Sequence, residues 1–176
     1  MDWRMKQDDV AVLIIDMQEK LMPSIYEFEL LEKKGVQLVS CAGKLNLPVC
    51  FTEQYPKGLG KTLPNIIQLA PEAPVLEKTR FSADCSLDVV SARHIVLAGV
   101  EAHICVRQTV YDLKRSGRVV HVLADAVGSR EPLAKEVAMR EMQADGVLFT
   151  TLEGFLFELL QDSQHPKFKN ISKILK

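Results

Sequence analysis

Three runs of β-branched and aliphatic residues constrain this chain more than any other feature: Val10–Ile15 (VAVLII), Ile95–Val100 (IVLAGV) and Val119–Ala124 (VVHVLA). A strand with one wet face alternates apolar and polar side chains, and these runs do not. They suit strands buried on both faces, which means a parallel sheet covered by helices. Shorter strand candidates are Pro48–Thr52, Val75–Thr79 and Val147–Thr151.

Helical patterns fall between the strands. Leu31, Leu38, Ala42 and Leu45 share one helical face, as do Val106, Val110 and Leu113 within Ile104–Ser116. The latter segment stops at Gly117, a residue suited to a left-handed C-terminal cap. Ser129, followed by Glu131 and Pro132, predicts another helix start, with Leu133, Val137, Ala138 and Met142 as its apolar stripe and Gly146 as its end. Glu153–Gln161 reads as a further short helix. Alternating strands and helices predict a doubly wound α/β fold with right-handed crossovers. Glu53–Pro64 (EQYPKGLGKTLP) is a turn-rich insertion after the second strand, and its length suggests a binding loop. In such sheets ligands bind beyond the carboxyl ends of the strands.

At 176 residues the chain is expected to form one domain, residues 1–176. Its 47% hydrophobic and 26% charged content excludes collagen-like and largely disordered classes. The apolar runs are far shorter than the ~20 residues of a membrane-spanning helix, and the start, MDWRMKQDD, lacks the apolar core of a secretory signal. A cytoplasmic protein with no membrane partner is the expectation. A net charge of −1 gives no electrostatic footprint for nucleic acid, although Ser163–Lys176 carries four Lys and no acid. That tail is read as a solvated or subunit-facing segment.

Gly58-Leu59-Gly60-Lys61-Thr62 resembles a phosphate loop only superficially. A P-loop needs glycine where Tyr55 stands and a helix where Leu63-Pro64 follows, and a dinucleotide loop needs glycine at Leu63. Asp16 closes the first strand. Gln18 stands where a haloacid-dehalogenase-type phosphatase would carry its second Asp, and Asp8 and Asp9 lie at the wrong end of the strand for a phosphoryl-accepting receiver site. Cys105 follows the Ile95–Val100 strand at a helix start, where peptide dipoles favour thiolate. Tyr111 replaces the Arg that a tyrosine-phosphatase loop needs. Cys41 and Cys50 read as buried small hydrophobes, and Cys85 fits either role. No CxxC pair and no zinc-spaced His pair is present, so neither a disulfide framework nor a structural metal is expected. Alone, Asp16 reads as a cap and Lys78 as a surface lysine; it is their common occurrence at strand ends with Cys105 that suggests chemistry.

Three ordered motifs carry a resemblance: Leu13-Ile14-Ile15-Asp16-Met17-Gln18, Glu77-Lys78-Thr79-Arg80-Phe81-Ser82-Ala83, and Leu97–Thr109 (LAGVEAHICVRQT). With them, from about Val10 to the C-terminus, the chain resembles the isochorismatase-like cysteine hydrolases. The loop Thr52–Gly60 and the tail His165–Phe168 are most similar to the branch named only for containing an isochorismatase domain. The resemblance implies a three-layer fold on a six-stranded parallel sheet, homo-oligomers, and a catalytic triad of Asp16, Lys78 and Cys105. It also implies a cis Val100–Glu101 peptide and an oxyanion hole made by the backbone N–H groups of Glu101 and Cys105.

Such a triad suits hydrolysis of a small amide or related acyl compound. Cys105 attacks the carbonyl, Asp16 moves the proton, Lys78 holds Asp16, and a thioester is then hydrolysed. Gln18, Tyr55 and Phe81 are the candidate pocket residues. The metal-binding set of the nicotinamidase branch has no counterpart in Glu53–Gly60, so no metal or other cofactor is expected. Glu19-Lys20-Leu21 replaces the Asn-Asp-Phe common in the family, and a thiol favours amidase-like chemistry over vinyl-ether cleavage. A catalytically silent binding or scaffolding module of the same fold is the alternative. The Gly154–Phe157 segment could serve a subunit interface or the core.

Overall fold

The first strand, β1 (Val10–Ile15), is buried along its whole length. Its side chains divide by the two-residue period of a strand. Val10, Val12 and Ile14 enter one core; Ala11, Leu13 and Ile15 enter another on the opposite face. In the computed structural model, which describes residues 5–83 and 91–176, five more strands join it. They are β2 (Val49–Gln54), β3 (Val75–Lys78), β4 (His94–Val100), β5 (Val119–Gly128) and β6 (Leu148–Thr150). All pairings are parallel, in the order β3-β2-β1-β4-β5-β6. The chain reverses its direction of winding between β1 and β4, so the crevice beyond their carboxyl ends is the expected ligand site.

Helix α1 (Phe28–Leu45) buries Leu31, Leu38, Ala42 and Leu45, as their spacing predicted. The helices α2 (Pro56–Leu59) and α3 (Pro64–Ile67) are single turns within the loop that follows β2. After β4 the chain makes one π-helical turn, Ala102–Val106, and runs directly into α4 (Arg107–Arg115). Gly117, at φ +84°, follows as the expected left-handed residue. Helices α5 (Pro132–Ala144), α6 (Leu152–Leu160) and α7 (Phe168–Leu175) complete the described elements. α1, α6 and α7 lie on one face of the sheet; α4, α5 and the π turn lie on the other, giving three layers. No helix among the described residues is long and apolar enough to cross a membrane.

Four expectations need correction. β5 continues past Ala124 to Gly128 because Asp125 does not end it: its carboxylate accepts the Leu152 N–H at 2.8 Å and pairs with Lys34 at 2.8 Å. Helix α5 therefore starts later, with Glu131 preceding it, and Ser129 instead hydrogen-bonds the His103 ring at 3.0 Å. On α5 only Ala138 and Met142 of the predicted stripe are buried; Leu133 and Val137 are 68% and 47% exposed. The lysine-rich tail contains α7, whose Ile171 is fully buried in the core beneath α1 and whose Ile174 carbonyl accepts from Gln37 Nε2 at 2.9 Å. In the Gly154–Phe157 segment, Phe155 is core and Phe157 packs edge-on against Phe168 at 5.7 Å. Cys41 and Cys50 are fully buried, and Cys85 lies outside the described residues.

Candidate active site

Asp16 is the first residue beyond β1, and it adopts φ +51°. Asp tolerates this left-handed conformation better than most residues do, and here it turns the chain at the strand end. The carboxylate is completely buried. Its Oδ1 accepts from Thr52 Oγ1 at 2.7 Å, and its Oδ2 accepts from Lys78 Nζ at 2.7 Å. Parallel pairing places Ile15 opposite Thr52, and the Asp16 N–H donates to the Thr52 carbonyl at 3.2 Å, so β2 holds both ends of the aspartate.

Lys78 ends β3, two strands away from β1. Neighbouring strands lie about 4.8 Å apart, and only a long side chain spans that gap. The Lys78 side chain reaches the Asp16 carboxylate and is itself buried. Besides Asp16, its ammonium donates to Gln54 Oε1 at 2.8 Å and to the Phe81 carbonyl at 3.1 Å, with a longer contact of 3.4 Å to the Arg80 carbonyl. The ammonium is therefore a fixed charge beside Asp16.

Cys105 is in the π turn, 5% exposed, and lies where the Asp16 carboxylate and the Lys78 ammonium both act on its thiol. Thr109 locks this turn: its hydroxyl donates to the Cys105 carbonyl at 2.7 Å and accepts the Ala83 N–H at 2.9 Å, tying the segment after Lys78 to the helix that carries Cys105. The structure thus brings Asp16, Lys78 and Cys105 together. The helix start favours thiolate, and the surroundings of the sulfur act in the other direction. Burial first, and the Asp16 charge second, push the Cys105 thiol up to about 12, while Lys78 and the Glu101 N–H only partly offset them. The sulfur rests protonated.

Glu101 is mostly buried, and its carboxylate pairs with Arg130 Nε at 2.7 Å. The Val100–Glu101 peptide bond is cis. Gln18 is fully buried, and its amide is engaged by backbone on both sides. Nε2 donates to the Gln54 and Gly60 carbonyls at 3.0 and 2.7 Å, and Oε1 accepts the Gln54 N–H at 2.8 Å. Its position is that of a strut for the 54–60 loop. Tyr55 and Phe81 are about half exposed. Tyr55, Pro56, Lys57, Glu77, Lys78 and Thr79 line a cleft of about 380 Å³. Phe81 is not in its wall.

Three residues of the site were not singled out in the sequence. Thr52 had a signal: it is a hydroxyl at the carboxyl end of the apolar run Val49-Cys50-Phe51, beside the strand that ends in Asp16. Glu53 is a buried carboxylate that accepts the Thr62 N–H and hydroxyl at 2.7 and 3.0 Å and pairs with Lys61 at 3.2 Å, closing the loop. Gln54 offers no signal until the position of Lys78 is known. Among the described residues, no group of three or more His, Cys, Asp or Glu side chains is placed to hold a metal ion.

The doubly wound parallel sheet defines a fold class, and comparison with known proteins agrees with it. The isochorismatase domain model matches residues 10–154, and the chain belongs to that family. Membership supports a hydrolase of the cysteine-hydrolase superfamily. Isochorismatase domain-containing protein 2 of Danio rerio is 38% identical over 180 residues, an alignment covering 98% of this chain and 89% of that protein. Isochorismatase domain-containing protein 1 of Salmo salar is 40% identical over 167 residues, covering 92% of this chain but 59% of that longer protein. Among solved structures, the MAR1 ribonuclease of Caenorhabditis elegans superimposes with a TM-score of 0.94 at 37% identity, covering 98% of this chain and 92% of the other.

Proposed function

We propose that the protein hydrolyses a small amide or related acyl compound through a thioester on Cys105, with Asp16 as the proton carrier and Lys78 as its fixed counter-charge. The observation that carries this reading is that one buried carboxylate is paired with the ammonium at 2.7 Å and its charge acts on the thiol. A carboxylate in that position is a general base for the sulfur, and a lysine whose donors are taken by Asp16, Gln54 and Phe81 is a positioning charge.

The proton begins on sulfur. As Cys105 attacks the substrate carbonyl carbon, the S–H proton passes to Asp16 and the carbonyl π pair moves onto oxygen. The Glu101 and Cys105 backbone N–H groups are the donors assigned to that oxyanion, where loss of one donor typically costs about 10²-fold or more. The intermediate collapses, the C–N bond breaks, and Asp16 returns the proton to the leaving amine. Water then gives its proton to Asp16 and its oxygen to the acyl carbon. The C–S bond breaks and the proton returns to the thiolate. Each atom is accounted for without a cofactor.

A resting thiol suits this sequence, because the nucleophile forms only as the carbonyl arrives and Asp16 is at hand to take the proton. Tyr55 and Phe81 are the side chains we assign to the substrate entrance, and Gln18 supports the loop that carries Tyr55.

The name of the C. elegans relative raises RNA cleavage as a second reading. Against it stand a net charge of −1 and the engagement of Lys61 and Lys78 beside the site by carboxylates. The test is turnover of an amide and ester panel and of single- and double-stranded RNA by the wild type, Cys105→Ala and Asp16→Asn. Amide or ester turnover that vanishes in both variants, with circular dichroism unchanged, is the expected result. RNA cleavage that survives Cys105→Ala, or turnover of nothing, removes the cysteine hydrolase reading and moves a binding module ahead.

A further inference from the structure

Lys78 is the most flexible member of the triad, and its ammonium is held at the end of four rotatable bonds on a short edge strand. A lysine side chain has many rotamers to lose, so geometry at Asp16 depends on what else grips the ammonium. Gln54 grips it, through Oε1 at 2.8 Å. The orientation of that amide is itself fixed, because Gln54 Nε2 donates to the Thr79 carbonyl at 2.8 Å and leaves only oxygen to face Lys78. Both backbone groups of Gln54 are in turn bonded to the buried Gln18 amide.

We infer that Gln54 is a positioning residue for the site beside Cys105: it holds the Lys78 ammonium against the Asp16 carboxylate, in a series anchored by Gln18. The inference rests on the reading of Asp16, Lys78 and Cys105 as a reacting unit. Lys78 opposes the effect of Asp16 on the thiol, and it does so only while its charge is held against the carboxylate. A methionine at position 54 keeps the volume and removes the acceptor. A glutamate keeps the acceptor but adds a second negative charge that competes with Asp16 for the ammonium. Both changes favour the protonated thiol.

The test needs no substrate. The rate of Cys105 alkylation by iodoacetamide is followed by peptide mass spectrometry from pH 7 to 11 in the wild-type chain, Gln54→Met, Gln54→Glu and Asp16→Asn, with the thermal midpoint measured for each. Below the midpoint a shift of one unit changes the thiolate fraction about tenfold. The expected result is an upward shift of the pH profile, with Cys105 labelled about 3- to 10-fold more slowly at pH 8 in Gln54→Met and more slowly still in Gln54→Glu. Asp16→Asn shifts the profile downward. A Gln54→Met or Gln54→Glu profile that coincides with the wild type, whatever the change in thermal midpoint, overturns the role of Gln54 and leaves it a loop strut. A profile unmoved by Asp16→Asn overturns the underlying pairing of Asp16 with Cys105 instead.

Discussion

Gly99 lies so close to Ile15 that a Cβ on Gly99 would fall 2.0 Å from the Ile15 carbonyl oxygen. The two residues are register partners at the carboxyl ends of β4 and β1, one residue before Asp16 and two before Glu101. Gly99 also adopts φ +126°, a conformation that side chains resist. The approach of the two backbones is what sets the aspartate and the cysteine-bearing turn at one crevice.

Gly99→Ala therefore has nowhere to relax except by separating β1 from β4. The expected loss is at least about 3 kcal/mol, the upper range for overpacking, measured by urea unfolding. A near-neutral substitution would show that the two strand ends can part without cost.

The Lys78–Asp16 pair behaves as a buried ion pair, with side-chain exposures of 2% and 0%. Lys78→Met leaves the carboxylate with neutral donors and costs about 3–5 kcal/mol. Adding Asp16→Asn restores part of that loss, because the uncompensated charge is gone. Urea midpoints of the two single variants and the double variant check this, and strictly additive losses would argue against the coupling.

Thr52→Val removes the donor to Asp16 Oδ1 with little change in volume. A hydrogen bond to a charged group is worth about 1.5–3 kcal/mol, and the destabilisation falls in that range. Thr52→Ser retains the hydroxyl and recovers most of it, as thermal or urea unfolding would record.

Away from the site, His94 Nδ1 and His121 Nε2 meet at 2.9 Å, both buried. Burial, and then the His94 charge, lower His121 from the ordinary 6.5 to about 4. Above pH 6.5 both folded and unfolded chains hold it neutral, so its contribution is fully present. As the pH falls from 6.5 towards 4 the unfolded chain takes up a proton that the folded one refuses, and stability declines by about 3 kcal/mol. Urea midpoints at pH 7, 5.5 and 4.5 will show the decline in the wild type and a shallower one in His121→Asn. Parallel profiles would assign the acid sensitivity elsewhere.

The parallel sheet was legible because β1 and β4 supply apolar side chains to both faces, a pattern no half-exposed strand tolerates. The α5 stripe was misjudged because periodicity identifies a face but not which edge of it docks. Leu133, Val137, Ala138 and Met142 all fit the apolar stripe, and only Ala138 and Met142 are buried. At the site, Asp16 and Cys105 announce themselves at strand ends. Thr52 and Gln54 do not, since their roles depend on which strand neighbours which. The state of the thiol was not legible for a related reason: the helix dipole is local in sequence, whereas burial comes from the packed fold and the Asp16 carboxylate from 89 positions earlier in the chain.

The central claim is that Cys105 carries the acyl group. Its most direct measurement is the intact mass of the protein quenched in acid during turnover of an activated acyl substrate, followed by peptide mapping. The account predicts an acyl adduct on Cys105 that hydroxylamine releases, that accumulates in the wild type, and that is missing in Cys105→Ala. Steady turnover with no adduct on Cys105, undiminished in Cys105→Ala, would contradict it.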